Sequence, residues 1–180
     1  KGEESIARFL ASGHSELADK LGPILWQFRD TRKFDADDIA AFLARLPTTI
    51  DGVPVRHVLE ARHESFACAE FVDLLRRHGA ACVVADHDEH PMIADLTADF
   101  VYARLQRTQE DVPTGYDEAG LERWAAVAKG WANGERPEGL NYVTDAPADG
   151  KPRDVLAYFI AGAKVRNPAA AMALAERLQS

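Results

Sequence analysis

The stretch Val55–Phe66, VRHVLEARHESF, decides how the rest of this sequence is read. It begins as a buried strand, since Val55, Val58, Leu59 and Ala61 are small or strand-favouring. It ends in charge: Glu60, Arg62 and His63 arrive together where the strand should stop. Side chains alternate across a strand, so Glu60 and Arg62 share a face, and His63 takes the other unless the strand has already turned. A carboxylate and a guanidinium on a buried face are costly unless they meet each other or a ligand. In α/β chains, charged residues at the carboxyl end of a strand are where sites usually sit. The stretch therefore predicts a site without naming a reaction.

Outward from it, helix and strand alternate. An amphipathic helix is expected over about Glu3–Leu10, with Ile6, Phe9 and Leu10 on one face. PILWQF, Pro23–Phe28, reads as an apolar strand. Asp35 then caps a helix with the stripe Ile39, Phe42, Leu43 and Leu46, which Pro47 stops. After Val55–Phe66 comes a helix marked by Phe71, Val72, Leu74 and Leu75 and closed by Gly79. Strands follow at Ala81–Ala85, ending on Asp86, and at Phe100–Leu105. Tyr116 to about Asn133 is helical, Gly134–Arg153 is a long loop, and Val155–Ile160 is the last strand. Asn167 and Pro168 are an N-cap and first-turn proline opening the final helix. Five short apolar strands separated by helices predict an α/β domain with a parallel sheet. No glycine-rich phosphate fingerprint follows any strand, which weakens a dinucleotide-binding reading.

Composition narrows the function classes. The chain has 180 residues, 47% hydrophobic, enough for one domain with a real core. Its net charge of −8 disfavours a broad nucleic-acid or anionic-membrane surface. Two cysteines, Cys68 and Cys82, form no CxxC pair and no disulfide framework, which predicts a reduced, cytoplasmic protein. No apolar stretch approaches the roughly 20 residues of a membrane span. The chain opens on Lys1 inside a helical pattern, which suggests that sequence precedes it.

The strand ends carry the candidate site. Alternation in FVYARLQ puts Phe100, Tyr102, Arg104 and Gln106 on one face, and Val101, Ala103 and Leu105 on the other, under helices. Gln27 shares a face with Leu25, and Asp86 with Val84 and Cys82. Four successive strands are thus expected to end in inward polar groups: Gln27, Glu60 with Arg62, Asp86, and Arg104 with Gln106. A barrel interior with a polar mouth would produce that pattern, and so would a purely architectural salt-bridge lattice.

The segments LGPILWQF, EARHESF, VVAD, TADFVYARL, YDEAGLERWA and YFIAGAKVRNPAAAMAL, in this order and spacing, resemble the YecE-like proteins, domain of unknown function 72. The similarity runs from about Ile6 to Leu178. The rare combinations Glu60-x-Arg62-His63-x-Ser65-Phe66 and Thr97-x-x-Phe100-x-Tyr102-x-Arg104 carry most of it. It implies a TIM-type (β/α) barrel, bacterial or archaeal, with no established activity. It also implies a longer N-terminal part holding the first strands, so that residues 1–180 would be one domain with the last five β/α units. Two positions depart from the family: Gln106 stands where a histidine is common, and Ala161 where an asparagine is.

Other residues are weaker candidates. Asp86, His87, Asp88, Glu89 and His90 are five potential ligands in a row, but adjacent residues on a turn rarely aim at one point, and no metal site is assigned. His57 is expected in the core or at the surface, Ser65 as a helix cap, and Trp124 and Trp131 in the core. Lys164 and Arg166 precede the final helix, where an anion could bind. The leading expectation is a small-molecule or phosphoester-acting enzyme, a hydrolase or lyase. Glu60 or Asp86 would be its base, His63 a further catalytic candidate, and Gln27, Arg62, Tyr102, Arg104, Lys164 and Arg166 its substrate contacts. The alternatives are a non-catalytic ligand-binding or scaffold protein and a nucleic-acid-processing protein. No cofactor is specified. A small anionic ligand is the expected partner, with self-association through the open edges of PILWQF and VLAYFI.

Overall fold

A computed structural model describes residues 2–160 and 162–179. The elements run in order α1 (Gly2–Leu10), β1 (Ile24–Gln27), α2 (Ala36–Leu43), β2 (Thr49–Ile50), β3 (Val53–Pro54), β4 (His57–Glu60) and α3 (Ala69–His78). They continue with β5 (Ala81–Asp86), β6 (Phe100–Leu105), α4 (Glu118–Ala132), β7 (Asp154–Phe159) and α5 (Asn167–Gln179). β2 and β3 make a small antiparallel hairpin that the sequence reading did not separate from the strand after it. Ala161, one of the two positions that depart from the family pattern, lies outside the described residues.

Local chemistry sets the helix ends much as the sequence predicts. The Asp35 carboxylate accepts from the Asp38 N–H at 2.9 Å and opens α2. Asp117 does the same for Gly120 at 2.8 Å and opens α4. Gly79 closes α3 with φ 62°, a left-handed conformation that costs glycine little. Asn167 behaves differently from the expected cap. Its backbone is already helical, because the 3₁₀ turn Lys164–Arg166 runs straight into α5, and its side-chain oxygen accepts from Thr108 Oγ1 at 2.8 Å instead.

The five long strands form one parallel sheet in the order β1-β4-β5-β6-β7. Its outer face is covered by helices. Leu59, Cys82, Phe66 and Phe71 pack with α2 and α3, while Val84, Val101, Ala103 and Leu105 pack with α4 and α5. Its inner face holds Val58, Ala81, Val83, Ala85, Phe100 and Tyr102, with Leu25 and Leu156 packed against them. The sheet is strongly curved. Neighbouring strands sit about 4.8 Å apart, so β1 and β6 would be some 14 Å apart on a flat sheet. Yet Arg104 on β6 donates to Gln27 on β1 at 3.1 Å, across the concave face. At the other end of that face Arg56 reaches Asp154 of β7 at 2.8 Å and lies over the Phe100 ring. This is the curvature of a barrel wall. β1 and β7 are its two edges, each paired on one side among the described residues.

Candidate functional site

The carboxyl ends of β1, β4 and β6 converge on one buried carboxylate. Glu60 is 1% exposed, the last residue of β4, and on the face of Val58. One of its oxygens accepts from Arg62 Nε at 2.9 Å, and the other from Arg104 Nη1. The same Arg104 nitrogen donates to Gln27 Oε1. Arg104 must pass over β5 to reach Glu60, and the residue in register with it on that strand is Ala85. A larger side chain there would stand in the way of the guanidinium. Burial pulls the Arg104 pKa below its ordinary value, though the group remains a cation. The cluster of one carboxylate and two guanidiniums is net positive, and Arg62 is the more exposed of its cations.

Below the cluster, Tyr102 stacks on Tyr158 with ring centroids 4.7 Å apart. Tyr158 stands in register with Arg104 and is 40% exposed on the edge strand. Burial, then the neighbouring Tyr158, pushes the Tyr102 phenol up to about 12, so it stays a neutral donor near pH 7. Gln27, Glu60, Arg62 and Arg104 are thus brought together as expected, with Tyr102 in the layer beneath them.

Asp86 is not part of this group. It does share a face with Val84 and Cys82, but that face is the outer one, under α3 and α4. There it is 2% exposed, accepts from the Tyr116 hydroxyl at 2.7 Å, and lies 3.5 Å from Arg107 Nε. The hydroxyl in turn accepts from the Arg107 N–H, and burial followed by the Asp86 contact raises its pKa. Asp86 is therefore a structural anchor for the start of α4, not a base at the mouth. Arg107 and Tyr116 carried no sequence signal beyond their residue types. Gln106 also stays out of the cluster. Its N–H continues the ladder to the Asp86 carbonyl at 3.1 Å, while its buried Nε2 finds no partner among the described residues.

His63 caps the 3₁₀ turn Glu64–Phe66. Its Nδ1 accepts from the Ser65 N–H at 3.1 Å and lies 2.9 Å from Ser65 Oγ, which itself accepts from the Phe34 N–H at 2.8 Å. With one lone pair facing two donors of the same residue, this nitrogen is already engaged in holding the turn. The turn is pinned below by Phe66, which is 0% exposed among Phe28, Phe34 and Phe71. Lys164 and Arg166 sit on the turn after β7, where Arg166 donates to the Glu110 carbonyl at 2.8 Å. The described contacts do not join either of them to Glu60.

The loop Asp86–His90 stacks His87 on His90 with centroids 4.0 Å apart. Burial lowers the His90 pKa, and the positive potentials of His87 and Arg62 lower it further, so His90 belongs to the electrostatic surroundings of Arg62. Among the described residues no three His, Cys, Asp or Glu side chains gather as metal ligands would. None of the described helices is long and apolar enough to cross a membrane.

A parallel sheet curved like a barrel wall, with charge gathered at its strand ends, defines a protein of the TIM-barrel class in which five parallel strands are described, four of them followed by a helix and β5 joined to β6 by a loop rather than the expected helix. The family model "Protein of unknown function DUF72" matches residues 1–180, and the chain belongs to that family. Two solved structures share the fold. One is a DUF72 family protein from Thermotoga maritima MSB8, 17% identical with a TM-score of 0.71, matched over 99% of this chain and 65% of that one. The other is a DUF72 family protein from Enterococcus faecalis V583, 12% identical with a TM-score of 0.68, matched over 100% of this chain and 67% of that one. The chain therefore spans about two-thirds of each relative's length. A comparison with curated proteins returns no match.

Proposed function

We propose that the strand ends around Glu60 form the anion-binding part of a pocket for a small molecule bearing a phosphoester or carboxylate group. The observation that carries this reading is the pair of guanidiniums, Arg62 and Arg104, held on opposite oxygens of one buried carboxylate. Each guanidinium has five N–H donors, and the contacts to Glu60 and Gln27 use only some of them. Glu60 fixes both cations without cancelling them, and the remaining donors suit a bidentate oxyanion. In this reading Glu60 is a positioning residue, because both of its oxygens are engaged. A hydrolase or lyase built on this pocket would take its base from elsewhere. His90, whose pKa is lowered by burial and then by the positive potentials of His87 and Arg62, is one candidate for the role. A scaffold reading, with the cluster as a lattice only, is favoured by that same engagement of Glu60.

Isothermal titration separates the two readings, with phenyl phosphate as the probe and Arg62→Gln as the variant. Arg62 is the partly exposed member, so its loss should leave the fold in place. The proposal expects saturable binding that weakens at least about tenfold in the variant, the scale of one charge-assisted hydrogen bond. No binding by either protein, or equal binding by both, would support the lattice.

A further inference from the structure

A cavity of about 140 Å³ lies at the opposite end of the sheet from Glu60. Arg76 in the last turn of α3, Leu96 ahead of β6 and Arg153 ahead of β7 place it at the amino ends of the strands. Its outer wall is the loop of residues 134–153, which is held rigidly. The Asp95 side chain, 2% exposed, accepts from the N–H groups of Val143 at 2.6 Å and Thr144 at 3.0 Å, and from the Thr144 hydroxyl. Gly134 has φ +75°, and a Cβ there would meet the Lys151 backbone nitrogen at 2.3 Å, so the loop closes where only glycine fits.

The three arginines of this cavity are not alike. Arg153 is committed: it grips both oxygens of Asp149, at 2.8 and 2.7 Å, and donates to the carbonyls of Ala98 and Lys151. Arg76 has only long carboxylate contacts, 3.4 Å to Asp73 and 3.8 Å to Asp95. Its remaining bonds, to the Leu96 carbonyl and Thr144 Oγ1, are both 3.3 Å. Arg136 donates to the Thr144 carbonyl at 2.7 Å and lies over the Tyr142 ring at 4.0 Å. It forms no ion pair among the described residues. Stacking on a ring fixes the plane of a guanidinium while leaving donors at its edge. Two cations with spare donors thus line one rigid cavity, in a chain whose net charge is −8.

We propose that this cavity binds a phosphate group, free or at the end of a small metabolite. Two guanidinium forks suit a tetrahedral dianion. The volume is below the roughly 300–1,000 Å³ that encloses a whole drug-sized ligand, so it suits a head group. A neighbouring space of about 460 Å³, sharing Arg76, Asp149 and Arg153 and lined also by Asp99 and Lys151, has room for the rest. The site is separate from the Glu60 cluster and does not depend on the function proposed for it.

The test is an amide NMR titration of the isotopically labelled protein at constant ionic strength, with inorganic phosphate, glycerol phosphate and acetate as three arms. Saturable shifts at the Leu96, Thr144 and Ala148 amides are expected with both phosphates, weakened about tenfold in Arg136→Gln and unchanged in Arg62→Gln. Tighter binding of glycerol phosphate would assign the site to a phosphorylated metabolite, and tighter inorganic phosphate to the free ion. Arg136→Lys, which keeps the charge but not the fork, should bind with intermediate affinity even if the glutamine variant does not fold. Absence of saturable shifts at these amides, equal response to acetate, or wild-type affinity in Arg136→Lys would overturn the proposal.

Discussion

Arg104→Ala should destabilise the protein by about 3 kcal/mol. Breaking one partner of a buried ion pair typically costs about 3–5 kcal/mol, because the remaining charge is left uncompensated in a poor solvent. Glu60 is buried to 1% exposure and Arg104 to 14%, so this is the applicable regime rather than the weak surface one. Arg62 keeps its 2.9 Å contact to the other oxygen, which places the loss at the lower end of the range. Gln27 is exposed, so water replaces its lost donor at little cost. Urea unfolding followed by tryptophan fluorescence would read the change as a lower midpoint at constant slope. The double variant Glu60→Leu/Arg104→Leu separates pairing from packing, since it removes the carboxylate together with its main cation. It should be less destabilised than Arg104→Ala alone. A single variant within about 0.5 kcal/mol of wild type would mean solvated charges and refute the buried network.

Three further outcomes are expected. His57 accepts from Trp26 Nε1 at 3.1 Å and reaches the Pro47 carbonyl at 2.8 Å, and burial lowers its pKa below 6.5, with the carbonyl opposing weakly. Because the folded value lies below the unfolded one, this contribution is whole above about pH 6.5 and is lost as pH falls through the lowered value. Urea midpoints should therefore drop between roughly pH 7.5 and pH 5, with a shallower drop in His57→Gln; equal drops would refute the assignment. Gln106→Met should raise the melting temperature, since the buried amide nitrogen has no partner among the described residues, an unmet donor costs about 1–3 kcal/mol, and methionine fills similar space without it. A lower melting temperature would show that the amide has a partner. Finally, the edges β1 and β7 should draw chains together, so sedimentation of this 180-residue chain should give a mass above 19.8 kDa that rises with concentration. A concentration-independent monomer would show that the edges are protected.

The fold was legible because its strands and helices differ sharply in period, and because the Asp35 and Gly79 signals fall where the backbone needs them. The inner column on β6 was legible too, since FVYARL sets Tyr102 and Arg104 on one parity and the wholly apolar Val101, Ala103 and Leu105 on the other. β5 was the opposite case. In ACVVAD every residue is buried, so no contrast between the faces told the inner side from the outer. Parity within the strand placed Asp86 correctly with Val84 and Cys82; only the pairing of Ala85 with Arg104 shows that this set faces outward. Register between parallel strands depends on crossover lengths that no local pattern encodes. For the same reason the pairings Arg56–Asp154 and Asp86–Tyr116, across 98 and 30 residues, left no local trace.

The two carboxylates that looked equivalent in the sequence therefore have opposite consequences. Asp86 is satisfied mainly by a neutral phenol, with Arg107 at the long distance of 3.5 Å, and it spends that contact on tying α4 to the sheet. Glu60 is met by two cations at once, more positive charge than it needs. Arg104, the more buried of the two, offsets the buried carboxylate, while the partly exposed Arg62 keeps the surplus charge within reach of solvent. In the pocket proposed above, an incoming anion would complete the neutralisation with the guanidiniums already oriented. Arg104 can reach across the concave face only because β5 offers alanine at the crossing point. The small residue on β5 and Arg104 on β6 belong to one arrangement, and an Ala85→Leu change that disturbs it should weaken phenyl phosphate binding without touching either arginine.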